Sequence, residues 1–202
     1  MAKHSVAEYL SYFVHQVLRI SIGKEHYLRL DIDIQDIEKR LQGFDLPVKE
    51  LEYADFLTGD PREFTEPKLA FIKKRLEDPN YRCYGIIENG KLIYSTWISL
   101  HKLGLSVDTR PIYLSEDEGL LEDSYCAHSA RGRGIHGKMN SYRIKKLYEL
   151  GKRRVVVIVL DGNTAAFKVQ LKQGFVELGT FYNGYLFGFK VNTLNKKKYD
   201  AI

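Results

Sequence analysis

The run Arg131-Gly132-Arg133-Gly134-Ile135-His136-Gly137 constrains this chain more than any other stretch. It follows an apolar, strand-like segment, Leu120 to Ala127, and it opens a helical one, Gly134 to Leu150. Glycines lack the Cβ that would keep a ligand away from the backbone. The first N–H groups of a helix have no intrahelical acceptor, and the helix dipole favours negative charge beside them. A glycine turn between a strand and a helix therefore predicts a seat for phosphate or diphosphate. Arg131 and Arg133, inside the turn, add positive charge to it.

Three motifs compete for these residues. Gly132-x-Gly134-x-x-Gly137 fits the dinucleotide fingerprint. Gly132 to Lys138 fits the first seven positions of a nucleotide P-loop, but Met139 stands where Ser or Thr should hold magnesium. The third is the acyl-coenzyme A loop, Arg/Gln-x-x-Gly-x-Gly/Ala, which Arg131 and Gly134 fit and His136 does not. The loop alone leaves the choice open.

The rest of the chain narrows it. A length of 202 residues suits one domain, or one domain with an extension, and 44% hydrophobic residues supply a core. The net charge of +5 favours an anionic ligand, but the cations are scattered as on a solvated surface, which argues against nucleic acid as a partner. Cys83 and Cys126 have neither disulfide-framework nor zinc spacing, and no metal site is expected. A reducing, cytoplasmic location fits them. No stretch is apolar enough to span a bilayer, and the N-terminus lacks a signal peptide's apolar run.

Periodicity gives the order of elements. Ser5 to Ile20 reads as a helix with a Ser5-x-x-Glu8 capping box, and its weakly basic polar face points to core packing rather than to a membrane surface. Leu28, Leu30, Ile32 and Ile34 alternate as a strand, and a short helix should end near Gly43. Residues 1–45 are thus expected as a helix-strand extension packed on a domain of residues 46–202. Within that domain Leu46 to Tyr53 reads as a strand. Asp60-Pro61 and Thr65-Glu66-Pro67 offer two helix starts, and Leu69, Ile72 and Leu76 mark one helical face. Tyr81 to Ile87 and Lys91 to Leu100 form a hairpin through Asn89-Gly90. A further strand is expected at Pro111 to Leu114. Apolar residues on more than one face of the helix after the loop predict that much of its surface is covered.

Val155 to Leu160, apolar and β-branched, suits a strand buried on both faces in a parallel pair. Asn163 caps a helix from Thr164 to Lys172 that stops at Gly174. Phe175 to Phe181 and Tyr185 to Val191 then form a second hairpin through Asn183-Gly184. The expectation is a mixed α/β (α+β) fold: a mostly antiparallel sheet flanked by helices, with one parallel step. A dinucleotide fold needs several more βα units than the last 40 or so residues supply.

Cys126 to Gly137, Val155 to Leu160, and Asn163-Thr164-Ala165-Ala166 through Leu171-Lys172-Gln173-Gly174-Phe175 together resemble the GNAT superfamily of N-acetyltransferases. The resemblance implies a GNAT-like fold and transfer of an acyl group, acetyl by default, from acyl-CoA to a primary amine on a small molecule or peptide. It implies no metal, and a homodimer is compatible with it. Pantetheine would pair with the backbone near Cys126, Ala127 and His128. The diphosphate would sit on the amides of Gly132, Arg133, Gly134, Ile135, His136 and Gly137, with Arg131, Arg133 and Lys138 as partners, and Asn163 and Ala166 would complete the donor site. Two positions depart from the pattern. His136 replaces a small loop residue, and Gln170 stands where a tyrosine commonly protonates the leaving thiolate; a glutamine is no acid at neutral pH. Under strict alternation Glu122 shares a strand face with Ser124 and Cys126, which makes it the candidate general base, with Glu118 and Asp123 as alternatives. Cys126 has no His/Asp arrangement around it for covalent catalysis. A catalytically weak acyl-CoA-binding or partner-docking module is the alternative to an enzyme, and a dinucleotide- or nucleic-acid-binding protein is the second alternative.

Overall fold

A computed structural model describes residues 21–103, 112–187 and 189–196. The helix expected at Ser5 to Ile20 lies outside the described residues. The chain divides into two compact units, one of Leu30–Leu103 with Tyr113–Val157 and a second whose described residues are 21–29, 112, 158–187 and 189–196. In chain order the elements are β1 (Ser21–Asp31), α1 (Ile34–Leu41), β2 (Val48–Glu50), α2 (Tyr53–Phe56), α3 (Glu66–Leu76), β3 (Tyr81–Glu88), β4 (Lys91–Ser99) and β5 (Glu118–Cys126). Then follow α4 (Ile135–Glu149), β6 (Arg154–Leu160), α5 (Thr164–Lys172), β7 (Val176–Leu186) and β8 (Phe189–Lys196).

The larger unit carries strands in the order β2-β3-β4-β5-β6. Every pairing in it is antiparallel except β5 with β6. Asn89 and Gly90, at φ 51° and 74°, make the tight turn of the β3–β4 hairpin, as their sequence predicts. One face of this sheet meets α2 and α3 through a core of Leu51, Phe56, Phe64, Ile72, Cys83, Leu92 and Trp97. α4 buries Ile135, Met139, Ile144 and Leu147, and with them Asn140 and Arg143. It packs close to β5 because Gly119 has no side chain: a Cβ there would lie 2.3 Å from Leu147 Cδ2. α1 begins at Asp33, whose carboxylate accepts from the Asp36 N–H at 2.8 Å, and packs against α4. Phe44 stacks on Tyr142 at 5.6 Å just beyond α1.

The second unit is a β1-β7-β8 meander with α5. Asn163 caps α5 as expected, accepting from the Ala166 N–H at 3.2 Å. The hairpin predicted at Asn183-Gly184 is not there. β7 runs through both residues, pairing them with Gly23 and Ile22 on one side and with Asn192 and Val191 on the other, and the chain turns at Phe187. Asn183 is fully buried and its amide donates to Glu25 Oε2 at 2.7 Å, so tertiary pairing overrides a local turn preference.

Three smaller expectations also change. Leu46 to Tyr53 shrinks to the three-residue β2 followed by the single turn of α2. Asp60-Pro61 makes turns rather than a helix, so Thr65 is the true start of α3. Near Pro111 to Leu114 the described residues form an isolated bridge, Lys102 to Tyr113, instead of a strand.

Candidate functional site

The glycine turn is built from the end of β5 outward. The Ala127 N–H still bonds to the Ile93 carbonyl at 2.9 Å, and His128 to Ala130 then form a single 3₁₀ turn. Gly132 and Gly134 follow at φ 77° and 71°. Gly134 is the N-cap of α4. A Cβ at either glycine would touch nothing, so glycine is required by the left-handed backbone and not by crowding. Among the described residues, no protein acceptor takes a hydrogen bond from the backbone N–H groups of residues 132 to 137. Such a row of free amides at a helix N-terminus has the chemistry to receive an anion.

The three nearby cations differ. Arg133 makes a two-pronged ion pair with Glu88, at 2.9 and 3.1 Å, and Lys138 meets Asp45 at 2.6 Å. Each cation holds its carboxylate below the usual pKa range. Both pairs are exposed, so each costs little to break. Arg131 instead lies back over the strand end, its Nε donating to the Cys126 carbonyl at 3.3 Å.

His136 is held by a partner that the sequence did not reveal. Tyr94, fully buried on β4 opposite Cys126, places its hydroxyl 2.8 Å from His136 Nδ1. Loss of water around the imidazole and the nearby Arg143 charge push its pKa down to about 4. The ring is therefore neutral at pH 7. Either tautomer of the neutral ring can bond to the tyrosine hydroxyl, as acceptor or as donor at Nδ1. The bulky loop residue is thus drawn toward Tyr94.

Within its own unit and among the described residues, the second half of β5 is paired on one side. The strand's parallel pairing runs from Glu118–Arg154 to Leu121–Val157 and stops. From Glu122 to Cys126 its only ladder among the described residues is with β4. That ladder contains a bulge. Trp97 faces Glu122 and Thr96 faces Ser124, so Asp123 is an extra residue, held at φ 41°.

The insertion corrects the reading of Glu122. Ser124 faces Thr96, their hydroxyls 2.7 Å apart, whereas Glu122 pairs with Trp97 on the opposite face. There its carboxylate is bound by Arg75, which also reaches Asp123 Oδ2 at 3.4 Å. Burial raises the Glu122 pKa and Arg75 counteracts the rise. The alternation that made Glu122 a candidate base does not hold, and its carboxylate serves an ion pair. Glu118, the first alternative, is buried at the far end of β5 near Arg154.

Other singled-out residues have plain environments. The Cys126 thiol points to the Ala127 carbonyl at 3.7 Å, and burial raises its pKa, so it is a protonated strand residue and not an activated nucleophile. Gln170 is buried on α5 in the second unit, and its Oε1 has no partner among the described residues.

Sequence reasoning missed Arg75, Arg143 and Tyr94. The two arginines did leave a signal. Arg75 follows Ile72 by three residues, and Arg143 follows Met139 by four, so both stand at core spacing on helices whose other such positions are apolar.

No protein-family model matches the sequence, and no curated protein matches it. Solved structures do. A functionally unknown conserved protein from Staphylococcus epidermidis superposes with a TM-score of 0.57 at 14% identity, over 90% of this chain and 68% of the other. An acetyltransferase from the GNAT family of Novosphingobium aromaticivorans gives 0.57 at 15% identity, over 81% of this chain and 63% of its own. The fold is that of GNAT acetyltransferases. A tandem GNAT protein from the clavulanic acid biosynthesis pathway agrees, with a TM-score of 0.54 at 15% identity over 87% of this chain and 57% of the other. This chain therefore spans less than two thirds of either GNAT protein. Of the described pairings only β5 with β6 is parallel, so the repeated βα steps of a dinucleotide fold are not present.

Proposed function

We propose that the chain is an acyl-CoA-dependent N-acyltransferase, with acetyl-CoA as the default donor and a primary amine on a small molecule or peptide as acceptor. One observation carries the reading: on a GNAT fold, unpaired amides from residue 132 to 137 directly follow a strand with an unpaired edge.

The amides of Gly132 to Gly137 receive the donor's diphosphate, and Arg131, Arg133 and Lys138 neutralise its charge. The edge of β5 from Glu122 to Cys126 offers hydrogen bonds to pantetheine, whose amides extend it as a strand would. Acyl-CoA supplies a thioester carbonyl, and backbone N–H groups beside the Asp123 bulge would stabilise negative charge on its oxygen. The amine attacks directly. A C–N bond forms, the C–S bond breaks, the ammonium proton leaves to water, and the thiolate takes up a proton.

A second reading has its own support. Gln170 stands in the place of a tyrosine acid, and Glu122 is tied to Arg75. Both favour a protein that binds acyl-CoA and turns over slowly. Calorimetry with acetyl-CoA and release of free thiol with a panel of amines separate these outcomes. Binding with turnover supports the enzyme, binding without turnover supports the module, and no binding refutes both.

A further inference from the structure

The bulge at Asp123 is tied down from both faces of the sheet. A non-glycine residue at positive φ is strained and persists only where its surroundings hold it. From α4, the fully buried Arg143 donates to the carbonyl of Trp97 at 3.1 Å and to that of Glu122 at 3.2 Å. These two residues are the last register pair before the extra residue. Asn140 fixes the guanidinium from one turn away. From α3, Arg75 binds the carboxylates of Glu122 and Asp123 while its guanidinium lies 4.6 Å from the Trp97 ring and 4.5 Å from the Tyr81 ring. Glu122 is thus gripped at its carbonyl by one helix and at its carboxylate by the other.

We propose that Arg143 and Arg75 are positioning residues that lock the β5 bulge, and so set where the strand's ligand-facing edge begins and how its amides point. Stability alone does not account for an arginine at position 143. A buried cation that contacts carbonyls and an amide, and no carboxylate, is a poor stabiliser compared with an apolar side chain of the same volume. Its rigid fork supplies geometry, since two donors at a fixed spread span two strands at once. Neither arginine bonds to the backbone of the glycine turn, and although the Arg143 charge reaches His136, a lysine at 143 keeps that charge, so the diphosphate seat should change little in the lysine variants.

The catalytic part of this inference rests on the acyltransferase reading, and the test separates the two. Arg143→Lys, Arg143→Met and Arg75→Lys are compared with wild type in the full chain. Three readouts are taken: acetyl-CoA affinity, kcat by thiol release, and amide hydrogen exchange of Ser124 to Cys126 in the free protein. In Arg143→Lys and Arg75→Lys, kcat should fall tenfold or more while the Kd for acetyl-CoA moves less than threefold. Exchange at Ser124 to Cys126 should rise at least tenfold over the change elsewhere in β4 and β5. A purely structural role would lower the melting temperature and leave kcat per folded molecule unchanged. Turnover within twofold of wild type and unaltered local exchange, in both lysine variants, would overturn the proposal. Arg143→Met adds the loss of charge; if it fails to fold, the lysine variants decide. If wild type turns over no amine, the acyltransferase reading falls instead, and local exchange alone judges the clamp.

Discussion

Replacing Gly134 by Asp should weaken acyl-CoA binding about a hundredfold and leave the fold standing, and the structure gives the size of both effects. Gly134 sits at φ 71° and caps α4, with open space where a Cβ would go. Packing therefore adds nothing to the cost of a side chain. The left-handed backbone costs an ordinary L-residue about 1–2 kcal/mol. Asp and Asn tolerate that region better than other residues, and as N-caps they gain on glycine by only about a few tenths of a kcal/mol, which offsets a small part of the cost. The net loss of stability should stay at about 1 kcal/mol, within the range for single substitutions. Binding is another matter. A carboxylate about 4 Å from a diphosphate charge repels it by roughly 1–4 kcal/mol at the effective dielectric of a surface site. Each 1.4 kcal/mol is about tenfold in Kd, so the loss should reach about a hundredfold. Gly134→Asn has the same shape without the charge, and its Kd should stay within about tenfold of wild type on the same scale. Thermal unfolding and calorimetry with acetyl-CoA measure both quantities. Equal affinities for the Asp and Asn variants would refute the placement of a diphosphate on this turn. Loss of the folded state in both would refute the claim that the position is open.

Four other outcomes follow from the same geometry. His136 should remain neutral down to roughly pH 4, as its position near Tyr94 and Arg143 dictates; because its folded pKa lies below the ordinary value, its contribution to stability is complete above about pH 6.5 and is lost as the pH falls toward 4, and an NMR titration of the ring checks it. Arg143→Met removes one of the two causes of that shift and should move the midpoint upward in the same titration. Gly85→Ala should destabilise the larger unit by about 1–3 kcal/mol in denaturant unfolding, since the new Cβ would lie 2.4 Å from the Tyr94 carbonyl oxygen. Gln170→Met should leave stability unchanged or raise it by up to about 1 kcal/mol, because it removes a buried carbonyl oxygen that has no donor among the described residues, and it should lower turnover by less than about a hundredfold, the lower end of general-acid contributions.

Local patterns in the sequence were reliable where local forces decide. The Asn89-Gly90 hairpin, the Asn163 cap and the β-branched run that becomes β6 each depend on a few adjacent residues, and each is found. Asn183-Gly184 carries the same signal as Asn89-Gly90 and fails. Its side chain is claimed by Glu25, a strand partner 158 residues away in the sequence, and its backbone is paired on both sides. Turn propensity is worth too little to compete with a full set of ladder bonds. The order of elements around the glycine turn was legible for the opposite reason. A parallel β5–β6 step requires a crossover, the crossover requires the helix, and the glycines mark where it starts.

The site was half legible, and the boundary falls at Asp123. Up to that residue, period-two alternation assigns each β5 side chain to a face, and beyond it the assignment reverses, because one extra residue exchanges the faces. Nothing within Glu122-Asp123-Ser124 fixes the insertion, since aspartate tolerates positive φ without requiring it. The evidence lay elsewhere, in two arginines at core positions of α3 and α4. Buried arginines need acceptors, and a regular sheet does not offer them freely, because each carbonyl already accepts a ladder bond and has only its second lone pair left. An irregular sheet does. Two core-facing arginines on helices that pack against the same pair of strands therefore imply a defect in the ladder between those strands. Here that defect puts Glu122 on the opposite face of the strand from Ser124 and Cys126.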